Sequence, residues 1–175
     1  DEQALGMGAL LLLGGLDTVA SMMGFIMRFL ATHPDHRRWI RDNPSDIAKV
    51  VEELMRRHGV ATNLRTATRD IELDGVTLRA GDFISTPTAV HGLDERRFPD
   101  PEDVDFERPA RQTLVFGAGP HRCPGMNLAR LELRILIEEW LARIPDFELD
   151  PDIPMVQKTG GVNGVLKLGL KWDPA

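Results

Sequence analysis

At 175 residues the chain is long enough to bury a core, and its formal charge of −6 argues against nucleic acid as a main partner, because phosphate binding needs a basic footprint. Hydrophobic residues make up 42% of it, which excludes a disordered chain. A single cysteine excludes an internal disulfide and suits a reducing cytoplasm.

No basic stretch precedes a cleavage site at the start, so no signal peptide is expected. The most apolar run, residues 5–16, falls short of the roughly 20 residues a membrane span needs, and no membrane partner is expected. That run belongs to a central helix expected from Glu2 to Thr32 and ended by His33-Pro34. A helix apolar on all faces needs protein around it, and the chain supplies few elements to do so. A short helix should follow Pro34 and break near Asn43-Pro44. Ser45 reads as the N-cap of a third helix reaching about His58, with Gly59 as its stop.

From Val60 to Thr86 the pattern changes to strands. Residues 69–73 and 76–79 should form a hairpin about Asp74-Gly75, with 81–85 extended beyond it. Residues 94–112 hold Pro99, Pro101 and Pro109 among many charges and read as a long irregular loop. A glycine-rich loop, 116–125, leads into a strongly amphipathic helix ending by Ile144-Pro145. The tail should close as a hairpin around Gly160-Gly161 and Asn163-Gly164. His33 and His36 are expected at the surface, His58 at a helix end and His91 in a turn, all without a role. Met22, Met23 and Met27 are expected as core filler.

The chemistry concentrates in Phe116-Gly117-Ala118-Gly119-Pro120-His121-Arg122-Cys123-Pro124-Gly125. Cys123 precedes a helix, where unpaired backbone N–H groups and the positive dipole end favour a thiolate. Glycines let such a loop approach a flat ligand closely, as an axial haem thiolate requires. Taken alone, a cysteine in a glycine turn is more often inert core. Zinc lacks a second cysteine or a suitably spaced histidine pair. Thiol catalysis with a histidine base stays open on the residues alone. Gly14-Gly15 weakens a helix by about 1 kcal/mol per glycine, so packing against another helix is its plainer use. Glu53 and Arg56 could be an ordinary i,i+3 surface pair.

Three of these features together carry a resemblance. Phe-x-x-Gly-x-His-x-Cys-x-Gly over 116–125 resembles the cysteine loop of the cytochrome P450 family. Gly14-Gly15-Leu16-Asp17-Thr18 resembles that family's oxygen-activating turn, and Glu53-Leu54-Met55-Arg56 its Glu-x-x-Arg pair. The likeness covers the whole chain and less than half of a family member. It is strongest toward the soluble bacterial, camphor-hydroxylating branch.

The resemblance implies a mainly α fold with small β-sheets. It would be the C-terminal, haem-binding part of a single P450 domain: central helix, Glu-x-x-Arg helix, meander loop, cysteine loop and following helix, and terminal hairpin. It implies haem b with Cys123 as the iron ligand. Phe116, Gly117 and Gly125 would lie against the cofactor, with Arg65 and His121 on its propionates. Thr18 would bond bound oxygen and Asp17 would relay protons, while Glu53 and Arg56 would be buried and tied to the loop at 94–112. Leu10, Leu13, Ala61, Gly161 and Val162 fall at substrate-pocket positions. Ala61 and Gly161 are smaller than the branched residues of camphor hydroxylases, which points to a wider apolar pocket for a larger terpenoid-like substrate. The activity implied is insertion of one oxygen atom from O2 into a C–H bond. Electrons would come from an iron–sulfur ferredoxin with an NADH-dependent reductase, in the cytoplasm. The competing readings are a haem-binding sensor without turnover and an inactive fragment; the piece alone is expected to be inactive.

Overall fold

Met22, Ile26 and Leu30 recur at helical spacing along the first helix and are almost wholly buried, so the second half of that helix is the spine of the core. The structure, a computed structural model, describes residues 1–109 and 113–173. Helix α1 runs Glu2–Thr32, as its apolar run predicts, and the Asp1 side chain caps it by accepting from the Gln3 N–H at 3.3 Å. By length and composition α1 is apolar enough to cross a membrane. Its first half is exposed throughout, with Leu5, Leu10, Leu11, Leu12, Leu13 and Leu16 each 60–75% exposed.

Helix α2, Pro34–Asp42, begins at a proline that suits a first helical turn. Helix α3 is Ile47–Arg57. Ser45 does not cap it: Pro44 fixes a tight 3₁₀ turn, Pro44–Asp46, which absorbs the serine. Val50, Val51, Leu54 and Met55 of α3 join Leu133, Ile137 and Leu141 of the last helix around the α1 spine. Each such side chain contributes roughly 1.5–3 kcal/mol by leaving water.

Strand β1, Thr62–Thr66, pairs antiparallel with β4, Phe83–Pro87. Pro87 lies opposite Thr62 at the end of the ladder, where its missing N–H costs least. Between them β2, Ile71–Leu73, and β3, Val76–Leu78, form the expected hairpin, with Asp74 and Gly75 both at positive φ (48° and 81°). The hairpin is shorter than its sequence pattern because Asp70 and Asp82 carboxylates accept from the Ala80 and Arg79 N–H groups at 2.8 and 2.7 Å.

A short helix unforeseen in the sequence, α4 (Thr88–Gly92), follows β4. Thr88 anchors it by donating N–H and Oγ1–H to the Ala61 carbonyl, both at 2.9 Å. His91 therefore sits in a helix rather than a turn, edge-on to Phe98 at 5.7 Å. Residues 93–109 are irregular, as expected; 110–112 of the same loop lie outside the described residues. Helix α5, Met126–Arg143, stops where predicted but is less one-sided than its sequence suggests. Leu133, Ile137 and Leu141 are buried while Leu128, Leu131 and Ile135 stay exposed.

Strands β5, Glu148–Leu149, and β8, Leu170–Lys171, pair beneath the terminal hairpin of β6, Val156–Lys158, and β7, Gly164–Lys167. Strand β7 lies directly on α1. A Cβ at Gly24 would stand 2.8 Å from Val165 Cβ, and one at Gly164 would stand 2.4 Å from Ser21 Oγ, so glycine is required on both sides of this contact.

Candidate active site

Gly117 and Gly119 both take left-handed φ values, 69° and 63°, which only glycine adopts without strain. They turn the chain back on itself so that the Cys123 N–H donates to the Phe116 carbonyl at 2.8 Å, closing a loop with the thiol at its end. Gly125 lies beside the sulfur: a Cβ there would be in ordinary contact with Cys123 Sγ at 3.8 Å. The thiol is partly exposed and stands three residues before α5.

This donor set suits one flat, tetradentate iron complex better than a bare metal ion. Among the described residues no group of three or more His, Cys, Asp or Glu side chains could hold a metal by itself. Cys123 offers a single soft, partly exposed ligand from a glycine-turned loop, and a haem brings the other four donors itself. Two side chains expected near such a group, Arg65 and His121, are both exposed. Arg65 Nη1 donates to the Leu64 carbonyl at 2.8 Å, which fixes the direction of its guanidinium.

On α1 the Gly14–Thr18 turn is helical. Thr18 Oγ1 donates to the Gly14 carbonyl at 2.6 Å, so its proton is engaged and its lone pairs face outward. Asp17 was legible as an acid, but its partner was not. Lys158 Nζ, from β6, lies 2.6 and 2.7 Å from the two Asp17 carboxylate oxygens. Nothing in sequence links residues so far apart; only the seating of the hairpin across α1 brings them together.

The pocket positions divide. Ala61 bridges Val162, and the Thr62 N–H donates to the Gly161 carbonyl at 2.9 Å, so Ala61, Gly161 and Val162 form one wall. Leu10 and Leu13 stand apart on the exposed half of α1, each 72% exposed.

The Glu53–Arg56 pair is buried, with side chains 7% and 1% exposed. Arg56 donates from Nε and Nη2 to the two Glu53 oxygens at 2.8 and 2.9 Å. Its other N–H groups reach the carbonyls of Gly92, Pro101 and Asp103 at 2.6–2.8 Å. A second arginine went unread in the sequence. Arg108 Nε donates to Glu53 Oε1 at 3.0 Å, and Nη2 reaches the Asp100 and Asp103 carbonyls at 3.1 and 3.2 Å. A cation in an aperiodic loop gives no signal of where it points.

His58 caps α3, its ring stacked on Phe25 at 5.7 Å with 6° between planes. Burial, aided by Arg57 and Arg28, pushes its pKa down to about 3, so it is neutral. His36, expected at the surface, is half-buried, edge-on to Phe29 and 3.1 Å from the Val104 carbonyl.

The cytochrome P450 family model matches residues 47–168, and the chain belongs to that family. It is 40% identical over 172 residues to the probable cytochrome P450 127A1 of Sinorhizobium fredii, covering 98% of this chain and 42% of the relative. It is 39% identical to the 20-oxo-5-O-mycaminosyltylactone 23-monooxygenase of Streptomyces fradiae, covering 93% of this chain and 40% of that protein. The crystal structure of cytochrome P450 CYP101C1 superposes with a TM-score of 0.89 at 41% identity, over 94% of this chain and 42% of that one. The chain thus has part of the P450 fold, mainly helical with small sheets, and spans about two fifths of the length of the relatives it matches.

Proposed function

We propose that residues 1–175 are the C-terminal, haem-binding portion of a haem-thiolate monooxygenase in which Cys123 ligates the iron of haem b. The Cys123 loop carries this reading: glycine turns, a closing bond from Cys123 N–H to Phe116, and a partly exposed sulfur. When bound, the cofactor supplies the activation of O2 that lets one oxygen atom enter a C–H bond.

The chain's own residues do the rest. Phe116, Gly117 and Gly125 form the surface against the cofactor, and Arg65 and His121 hold its carboxylates. Thr18 Oγ1, its own proton committed to Gly14, offers lone pairs to a proton-bearing oxygen in the pocket. Asp17, held by Lys158 at both carboxylate oxygens, takes protons from solvent and passes them toward that site when this pair opens. Glu53, Arg56 and Arg108 keep the loop at 94–109 against α3 and touch no reactant. Ala61, Gly161 and Val162 form one apolar wall for a small terpenoid-like substrate, and Leu10 and Leu13, on the exposed half of α1, offer it a separate apolar surface. The small side chains Ala61 and Gly161 leave room for one bulkier than camphor. Electrons reach the site from an iron–sulfur ferredoxin served by an NADH-dependent reductase, in the cytoplasm. The Streptomyces relative named as a monooxygenase supports the reaction class.

The test is the spectrum of the reduced, carbon monoxide-bound full-length protein. A Soret band at the thiolate position is expected, and its loss in Cys123→His. A wild-type band at the position of histidine-ligated haem refutes the assignment.

A further inference from the structure

Helix α3 carries two adjacent glutamates that point in different directions, since neighbours on a helix are about 100° apart. Glu53 faces inward and binds the loop at 94–109. Glu52 faces α5, where Arg130 donates to it from Nε and, at 3.3 Å, from Nη2. The same guanidinium lies over the Phe116 ring, 4.8 Å from its centroid. Phe116 is partly buried and packs against the core cluster. Its carbonyl in turn accepts the Cys123 N–H at 2.8 Å. An unbroken series of contacts therefore runs from α3 through Arg130 and Phe116 to the backbone of Cys123.

We propose that the Glu52–Arg130 pair is a clamp that positions the Cys123 loop, acting on it through the Phe116 ring. This rests on the reading of Cys123 as the haem ligand. Inside the loop, Gly117 N–H bonds back to Leu114 and Arg122 N–H to Gly119, at 2.9 and 3.1 Å. Neither contact spans the loop as the Cys123–Phe116 bond does, so the ring's seat sets where the sulfur stands. Arg130 suits the task because a planar guanidinium can stack on an aromatic face and bind a carboxylate at once. A lysine does one or the other well. Arg130 and Glu52 are partly exposed, with side chains 32% and 44% accessible, so the clamp holds a local geometry and adds little to global stability.

The experiment uses the full-length haem protein with Arg130→Met, Arg130→Lys and Glu52→Gln. Loss of the thiolate-type carbon monoxide band is followed in sub-denaturing urea, beside the unfolding midpoint from circular dichroism. In Arg130→Met the band should decay about tenfold faster, the combined weight of one cation–π contact and one exposed ion pair, while the midpoint hardly moves. Arg130→Lys and Glu52→Gln, which each keep one of the two contacts, should fall between it and the wild type. The haem potential separates the charges. Arg130→Met removes a cation and lowers the potential, whereas Glu52→Gln removes an anion and raises it. Decay unchanged in Arg130→Met, or tracking the unfolding midpoint in every variant, overturns the clamp and leaves a plain helix–helix staple. A wild-type protein without a thiolate band overturns the ligand assignment instead, and the clamp's purpose with it.

Discussion

Replacing Arg56 by lysine keeps the charge and removes the fork. Arg56 is 1% exposed, and its Nε and two Nη atoms together make five bonds, two to Glu53 and three to carbonyls of Gly92, Pro101 and Asp103. An ammonium has three N–H groups on one atom and cannot span a carboxylate and three separate carbonyls. At least two bonds are lost, each worth about 1.5–3 kcal/mol because a charged group is involved. The buried acceptors left behind cannot reach water. The expected destabilisation is about 3–5 kcal/mol, in line with breaking a buried ion pair and a large share of the 5–15 kcal/mol that holds a domain together. Arg57→Lys is the control, since Arg57 makes one bond to the same loop, Nε to the Glu102 carbonyl at 2.8 Å, from a partly exposed position. It should cost less than about 1 kcal/mol. Urea unfolding of the full-length protein, followed by far-ultraviolet dichroism and by haem retention, measures both. A cost below about 1 kcal/mol for Arg56→Lys would mean that the loop adapts, and the accounting of fixed acceptors would be wrong.

The same junction makes Gly92→Ala costly: the new Cβ would stand 2.1 Å from the Arg56 carbonyl oxygen, a backbone obstacle, and unfolding should show a loss of about 2 kcal/mol or more. On the proposed function, Thr18→Ala in the full-length protein should keep consuming electrons while product per electron pair falls, and tight coupling in that variant would remove the hydroxyl from the reaction. Pro124 has no N–H to offer the adjacent sulfur, so on the proposed haem ligation Pro124→Leu should withdraw charge from it. A redox titration should then show the potential raised by some tens of millivolts, at about 59 mV per 1.4 kcal/mol for one electron. His58 stays neutral down to about pH 3 when folded but titrates near 6.5 when unfolded, so stability drains away as pH falls between those values. In His58→Phe the stability difference between pH 7 and pH 5 should shrink by about 2 kcal/mol, read from urea midpoints at the two pH values.

What the sequence made legible was local. The Glu2–Thr32 helix, the Asp74-Gly75 turn and the end of α5 follow from periodicity and from backbone chemistry confined to a few residues. Cys123 stood out because the thiol, its glycines and the following helix all lie within one short stretch. Ser45 misled because a serine before an apolar run is a cap only if the preceding backbone is extended, and Pro44 makes it turn. Helix α4 escaped because it is a single turn held by Thr88 on the distant Ala61 carbonyl. The partners that define the site escaped for the same reason. Lys158 meets Asp17 only because Gly24 and Gly164 allow β7 to lie on α1 closely enough to carry β6 there. Arg130 meets Glu52 only because α3 and α5 share the Val50, Leu54, Leu133 and Ile137 core. A charged residue's partner is thus decided by the packing of apolar residues elsewhere. Filling the α1–β7 contact from the helix side, as Gly24→Val would, sets the new side chain against Val165 and should release Asp17 from Lys158 without touching either side chain.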